Sequence, residues 1–161
     1  MTRTIVLFFL YLILTSCGIA KQRTEIRDFL ILPNGKNFLG NKNLNAFVFE
    51  NSLKNIPFQQ FITSKFKTNN FYQKELPVTI DKQQFTLLFY DIDEFERYFG
   101  TPNFTALIQE NDAEKYGNQT KFIALSIIND RHEDCLSENS LYLNVLTTYL
   151  KNLKDEYLNQ Q

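Results

Sequence analysis

Six consecutive side chains, Asp130, Arg131, His132, Glu133, Asp134 and Cys135, are the part of this chain best equipped for chemistry. His132 is the only histidine, and Cys135 is one of two cysteines. The run follows an apolar stretch over residues 121–128, and loops that leave buried strands are common seats of function. Three chemistries compete for it. His132 with Asp130, Glu133 or Asp134 offers metal ligands, yet a closed site takes about four ligands in set geometry, and one histidine leaves the common zinc sets incomplete. His132 and Cys135 stand three apart, so a helical turn could place a base beside a thiol nucleophile; no third orienting motif accompanies them. A recognition loop needs no further parts: Asp130, Arg131, His132, Glu133 and Asp134 would meet a protein or a glycan directly. The plainest alternative is a hydrophilic loop leading into the last helix, with Ser137 or Asn139 as its N-cap and Cys135 as a small buried hydrophobe.

A second cluster, Asp91, Asp93, Glu94 and Glu96, reads as structural. Acidic residues belong in the first turn of a helix, where they offset its dipole. Asp91 and Glu94 have capping-box spacing, and Arg97 lies four residues after Asp93, where it can pair with it. The alternating oxygen ligands and glycine of a calcium-binding hand are absent. No G-x-S-x-G, no phosphate-cradling glycine loop and no histidine pair occurs among the 161 residues, which include five glycines. The expectation is therefore a protein that is not an enzyme, with no catalytic residue, no metal ligand and no cofactor.

The N-terminal residues speak to location. Residues 5–14 are unbroken apolar sequence after Arg3. Ten residues of helix reach about 15 Å, roughly half a bilayer's hydrocarbon core, so a cleaved signal peptide fits better than a membrane span. Leu14, Thr15, Ser16 and Cys17 close this run. Leucine, two small residues and cysteine directly after an apolar segment resemble the lipobox of bacterial lipoproteins. The resemblance implies cleavage before Cys17 and lipidation of its thiol. Each buried methylene contributes about 0.8 kcal/mol, and stable anchoring takes about two chains, so two or three acyl chains would hold the domain at the membrane. Gly18 stands where an inner-membrane lipoprotein often has Asp, and Lys21, Gln22 and Arg23 are not an acidic export run. The resemblance then implies the cell outer membrane and its periplasmic face.

The expected organisation is a signal peptide at 1–16, a lipidated tether at 17–27 and one globular domain at 28–161, of single-domain length. Loss of Arg3 leaves 16 basic against 18 acidic residues, which carries no nucleic-acid signature. With Cys17 lipidated, Cys135 has no intrachain partner, although the compartment is oxidising.

Within the domain, residues 29–32 and 46–50 read as strands separated by the turn residues Pro33, Asn34 and Gly35. Pro57 opens a helix whose apolar face is Phe58, Phe61, Ile62 and Phe66. Residues 76–81 and 84–90 form a hairpin, and Pro77 puts the first of these strands at an edge. A short helix from Asp91 presents Ile92, Phe95 and Phe99 and stops at Gly100 and Pro102. Residues 121–128 are apolar enough to be a central strand buried on both faces. A last helix over about residues 138–158 carries the stripe Leu143, Leu146, Leu150, Leu153 and Tyr157, with Lys151, Lys154, Asp155 and Glu156 on the wet side. The expected fold class is α+β, a single domain with a mostly antiparallel sheet and helices packed on one face. The function expected of it is a lipid-anchored cell-envelope module that binds a protein partner or supports envelope assembly. The alternatives are an immunity-type lipoprotein that neutralises a secreted toxin and an enzyme using His132 and Cys135.

Overall fold

A computed structural model describes residues 24–37, 43–51, 57–69, 73–100, 104–105 and 122–160. The leader and Cys17 lie outside the described residues, as does most of 103–119. The described elements run β1 (Thr24–Glu25), β2 (Leu30–Leu32), β3 (Ala46–Glu50), α1 (Phe58–Phe66), β4 (Glu75–Ile80), β5 (Gln83–Phe89), α2 (Ile92–Phe99), β6 (Phe104–Thr105), β7 (Phe122–Asn129) and α3 (Leu143–Leu158). This is the order read from the sequence, with two short parallel strands, β1 and β6, added. The end of the stretch read as tether joins the fold: Thr24 and Glu25 pair with Phe104 and Thr105, and Ile26 is buried.

Five strands form one sheet in the order β2-β3-β7-β5-β4, antiparallel throughout. The last strand in sequence, β7, lies in the middle, and all eight of its residues are buried. That is the physical meaning of its continuous apolar run: both faces are covered, so alternation would leave polar groups unsolvated. β4 is an edge, as Pro77 requires. The Phe89 amide donates to the Lys74 carbonyl at 2.9 Å, so in this register Pro77, paired with Thr86, falls at a position whose backbone points away from β5. Its missing N–H costs the ladder nothing and removes a donor from the open edge. Asp81 and Lys82 turn the hairpin in two residues, both with positive φ (48° and 67°), the backbone of a type I′ turn.

Alternate residues serve opposite faces. Phe47, Phe49, Leu76, Val78, Ile80, Phe85, Leu87, Phe89, Ile123, Leu125 and Ile127 share one core with α1 and α3. There the Tyr157 ring of α3 meets Phe58 of α1 at 5.0 Å, nearly perpendicular, and its hydroxyl donates to Asn51 Oδ1 at 2.9 Å. The expected arrangement of helices on one face describes α1 and α3. The third helix, α2, packs with the other set: Phe95 and Phe99 lie with Ala46, Val48, Tyr90, Phe122 and Ala124. The molecule is a single α+β domain.

Three local expectations need correction. The last helix starts at Leu143, not near 138, and its N-cap is Tyr142 without a side-chain cap, not Ser137 or Asn139; residues 135–139 are turns with a bend at Ser137 instead. Lys154 is not on the wet side. It is buried, and its ammonium pairs with Asp28 and Asp155, which fastens the segment before β2 to α3. Ile92 is 40% exposed and adds little to the α2 face. Gly35 is required for space and not for a positive φ, which Asn34 takes at 64°. A Cβ on Gly35 would overlap the Tyr90 hydroxyl and lie 2.7 Å from the Leu44 carbonyl oxygen.

Candidate functional site

Two short-range effects build the 130–135 loop. Asn129, the last residue of β7, is buried. Its Oδ1 accepts from the Arg131 amide at 3.0 Å and from the Glu133 amide at 2.9 Å, and its Nδ2 donates to Glu133 Oε2 at 2.7 Å. An Asx side chain that takes amides two and four residues on mimics a backbone turn. The His132 amide closes that turn on the Asn129 carbonyl at 3.0 Å, and His132 adopts φ 60°, the left-handed region that His, Asn and Asp enter more readily than most residues.

The chain then returns along β7. The Asn129 amide donates to the Glu133 carbonyl, the Cys135 amide donates to the Ile127 carbonyl, and Ile128 bridges Asp134. β3 pairs with residues 122–125 of β7 on this side, so the return segment takes the place that β3 leaves open. Asp134 joins the two. Its Oδ2 accepts from the Asn45 amide at 2.8 Å and its Oδ1 from the Leu136 amide at 2.9 Å, while Asn45 Nδ2 donates to the Leu136 carbonyl at 3.0 Å. Burial raises the Asp134 pKa, against those two amide bonds, which lower it.

The side chains divide sharply. Asp130, Arg131, His132 and Glu133 are exposed, and Asp134 is half-buried. Arg131 reaches Glu133 Oε2 at 3.4 Å, the oxygen that Asn129 also holds, so the guanidinium has a fixed neighbour. Cys135 goes the other way. It is 1% exposed and belongs to the core under α1 and α3; burial, with Asp134 beside it, pushes its thiol up to about 12. A thiol held protonated in the core is a poor nucleophile. Among the described residues, no group of three or more His, Cys, Asp and Glu could hold a metal ion.

The acidic cluster on α2 is occupied structurally. Asp91 Oδ1 accepts from the Glu94 amide at 2.8 Å and Glu94 Oε2 from the Asp91 amide at 3.1 Å, a complete capping box. Lys74 pairs with both carboxylates, and Lys36 lies 3.5 Å from Glu94.

Beside the loop lies a cleft of about 470 Å³, bordered by Gln83, Gln84 and Phe85 of β5, by Asn129, Asp130 and Arg131, and by Tyr142 at the head of α3. Only Asp130 and Arg131 of these carry a sequence signal for a site. Gln83, Gln84 and Tyr142 arrive from elements remote in sequence, through the β5–β7 pairing of Phe85 with Asn129 and the 5.3 Å edge contact of Phe85 with Tyr142. Asn129 was legible in principle: an Asn before Asp-Arg-His at a strand end is Asx-turn chemistry. Comparisons with protein-family models, with curated proteins and with solved structures find no match. No described helix is long and apolar enough to cross a membrane.

Proposed function

We propose that this chain is a lipid-anchored cell-envelope protein whose domain binds a protein partner through the 130–134 loop and catalyses no reaction. One observation carries the recognition half of this reading. The loop's backbone is pinned by Asn129 and Asp134, while Asp130, Arg131, His132 and Glu133 stand exposed. A loop already ordered loses little entropy on binding, and opposed charges at a rim supply specificity and speed of encounter. The anchor half rests on the lipobox resemblance at Cys17.

The test is photo-cross-linking in native membranes, with the reactive group at position 132 and a control at the exposed edge residue Thr79. A discrete protein adduct at 132, absent at 79 and weakened by Arg131→Ala, is expected. Equal adducts at both positions, or none at 132, would reject the loop. Cys17→Ala should abolish incorporation of labelled lipid; unchanged labelling would reject the anchor.

A further inference from the structure

Of the three carboxylates in the loop, Asp130 and Glu133 are exposed and Asp134 is half-buried. Asp134 clasps two parts of the chain 89 residues apart: its Oδ2 accepts from the Asn45 amide at 2.8 Å while its Oδ1 accepts from the Leu136 amide at 2.9 Å. Asn45 is held from its other side, where Ser126 Oγ donates to its carbonyl and meets the Tyr90 hydroxyl. Both amides on Asp134 need an accepting oxygen. An ionised carboxylate offers two; a protonated one keeps one carbonyl oxygen and turns the other into a donor. With Asp134 neutral, one of the two amides faces a hydroxyl in place of a charged oxygen and loses its bond.

The chain decides which amide that is. Leu136 lies two residues after Asp134, in an Asx turn that a short side chain reaches locally. Asn45 belongs to the segment before β3, so its bond is the one given up. Other ties remain: the Cys135 amide on the Ile127 carbonyl, the Asn129 amide on the Glu133 carbonyl at 3.3 Å, and Asn45 Nδ2 on the Leu136 carbonyl. The change is a loosening on one side of the loop and not an unfolding. The titratable groups around Asp134 are Asp130, Glu133 and Cys135 on its own loop and, through Ser126, the Tyr90 hydroxyl. Among the described residues, no charged side chain of another element acts on it. Burial raises its pKa, so the folded chain takes up this proton before the unfolded chain does, and the change falls within the native state.

We infer that Asp134 is an acid-sensitive clasp: its protonation releases the Asn45 amide, loosens the 130–133 loop and weakens the loop's hold on a partner. Only the last step rests on the proposed function. A loosened loop must be ordered again on binding, which opposes association.

The test is a pH titration of the full-length, isotope-labelled protein in detergent, followed by backbone amide NMR. Across the acid range the Asn45 amide proton should move upfield in one step, which the Arg131 and Glu133 amides share, with a midpoint above the ordinary aspartate value. Asp130→Asn/Glu133→Gln removes the other loop carboxylates, both exposed, and should keep the step. Asp134→Asn has the shape of the neutral acid; it should abolish the step and hold these resonances near their acid positions at neutral pH. If Asp134→Asn does not fold, the other two titrations decide. An Asn45 amide that does not titrate, Arg131 and Glu133 amides that stay still while it does, or a step lost in Asp130→Asn/Glu133→Gln would each overturn the inference. The cross-link from position 132 reads the last step: it should be largely lost at acid pH and, at neutral pH, in folded Asp134→Asn. An undiminished adduct would overturn that step. No adduct in the wild type would reject the proposed partner site and not the clasp, which is read on the protein alone.

Discussion

The two faces of the sheet are held by different physics. Under α1 and α3 the core is aromatic and aliphatic, from Phe47 and Phe49 through Leu150 to Tyr157, and its stability is apolar area and dispersion. The opposite face carries a buried hydroxyl chain. The Tyr90 hydroxyl accepts from the Lys36 amide at 2.9 Å and meets Ser126 Oγ at 2.9 Å, and Ser126 Oγ donates to the Asn45 carbonyl at 2.6 Å. Lys36 Nζ donates to the Phe89 carbonyl at 2.6 Å and lies 4.7 Å from the centre of the Tyr90 ring; burial lowers the Lys36 pKa against the pull of Glu94. The first face makes a sheet of these strands. The second places the connections, tying the residues after β2 and before β3 to β5 and β7. Asn45 then passes this placement on to Asp134 and the 130–135 loop.

The comparison is sharpest where a substitution strikes one face alone. Leu150→Ala in the fully buried centre of α3 should cost about 2–5 kcal/mol, measured by chemical denaturation. A loss under about 1 kcal/mol would mean that α3 does not carry the first face. On the second face, Gly35→Ala should cost about 1–3 kcal/mol by overpacking, because its methyl meets both Tyr90 and the Leu44 carbonyl. Tyr90→Phe removes one obstacle but strands the Lys36 amide, at about 1–3 kcal/mol by itself. The double variant should therefore be less destabilised than the sum of the two. Strict additivity would show that the Tyr90 hydroxyl is not what excludes a side chain at Gly35.

The clasp between Asp28 and α3 is smaller. Asp28 is 45% exposed in its side chain, so Asp28→Asn should cost about 1 kcal/mol or less near neutral pH. Hydrogen bonding to Lys154 lowers the Asp28 pKa, against a raising effect of burial. The unfolded chain then takes up this proton first as pH falls, so the Asp28 contribution is present above the unfolded carboxylate pKa and is lost on descent through the folded one. Asp134, raised by burial, works in the opposite sense: its folded form protonates first, which favours the native state as pH falls. Denaturation midpoints across the acid range should show a shallower acid loss for Asp28→Asn than for the wild type; an identical slope would remove Asp28 from the balance. Smallest of all is the expected reactivity of Cys135. A thiol-specific reagent should leave it unmodified in the native protein and label it fully in denaturant; native labelling would take Cys135 out of the first face and revive it as a reactive thiol.

Much of the fold is written in short-range pattern. The Asp91 and Glu94 capping box, the hairpin, the edge position of β4 and the central position of β7 follow from chemistry acting over a few residues. The site is legible only in part, since the loop is contiguous but the cleft is not. Gln83 and Gln84 look like ordinary strand polar residues, and Tyr142 looks like a flank of the helix stripe.

By itself the sequence determined the five strands of the main sheet and the three helices, apart from where the last helix begins, which face of each is apolar, and where backbone donors are missing. These depend on spacing, capping and covalent geometry. Tertiary structure alone decided that Lys154 is buried with Asp28, that Gly35 must leave room for Tyr90, that Cys135 turns into the core and His132 to solvent, and that Asp130 shares a cleft with Gln84. Each of these depends on strand order and register, which place residues many positions apart side by side.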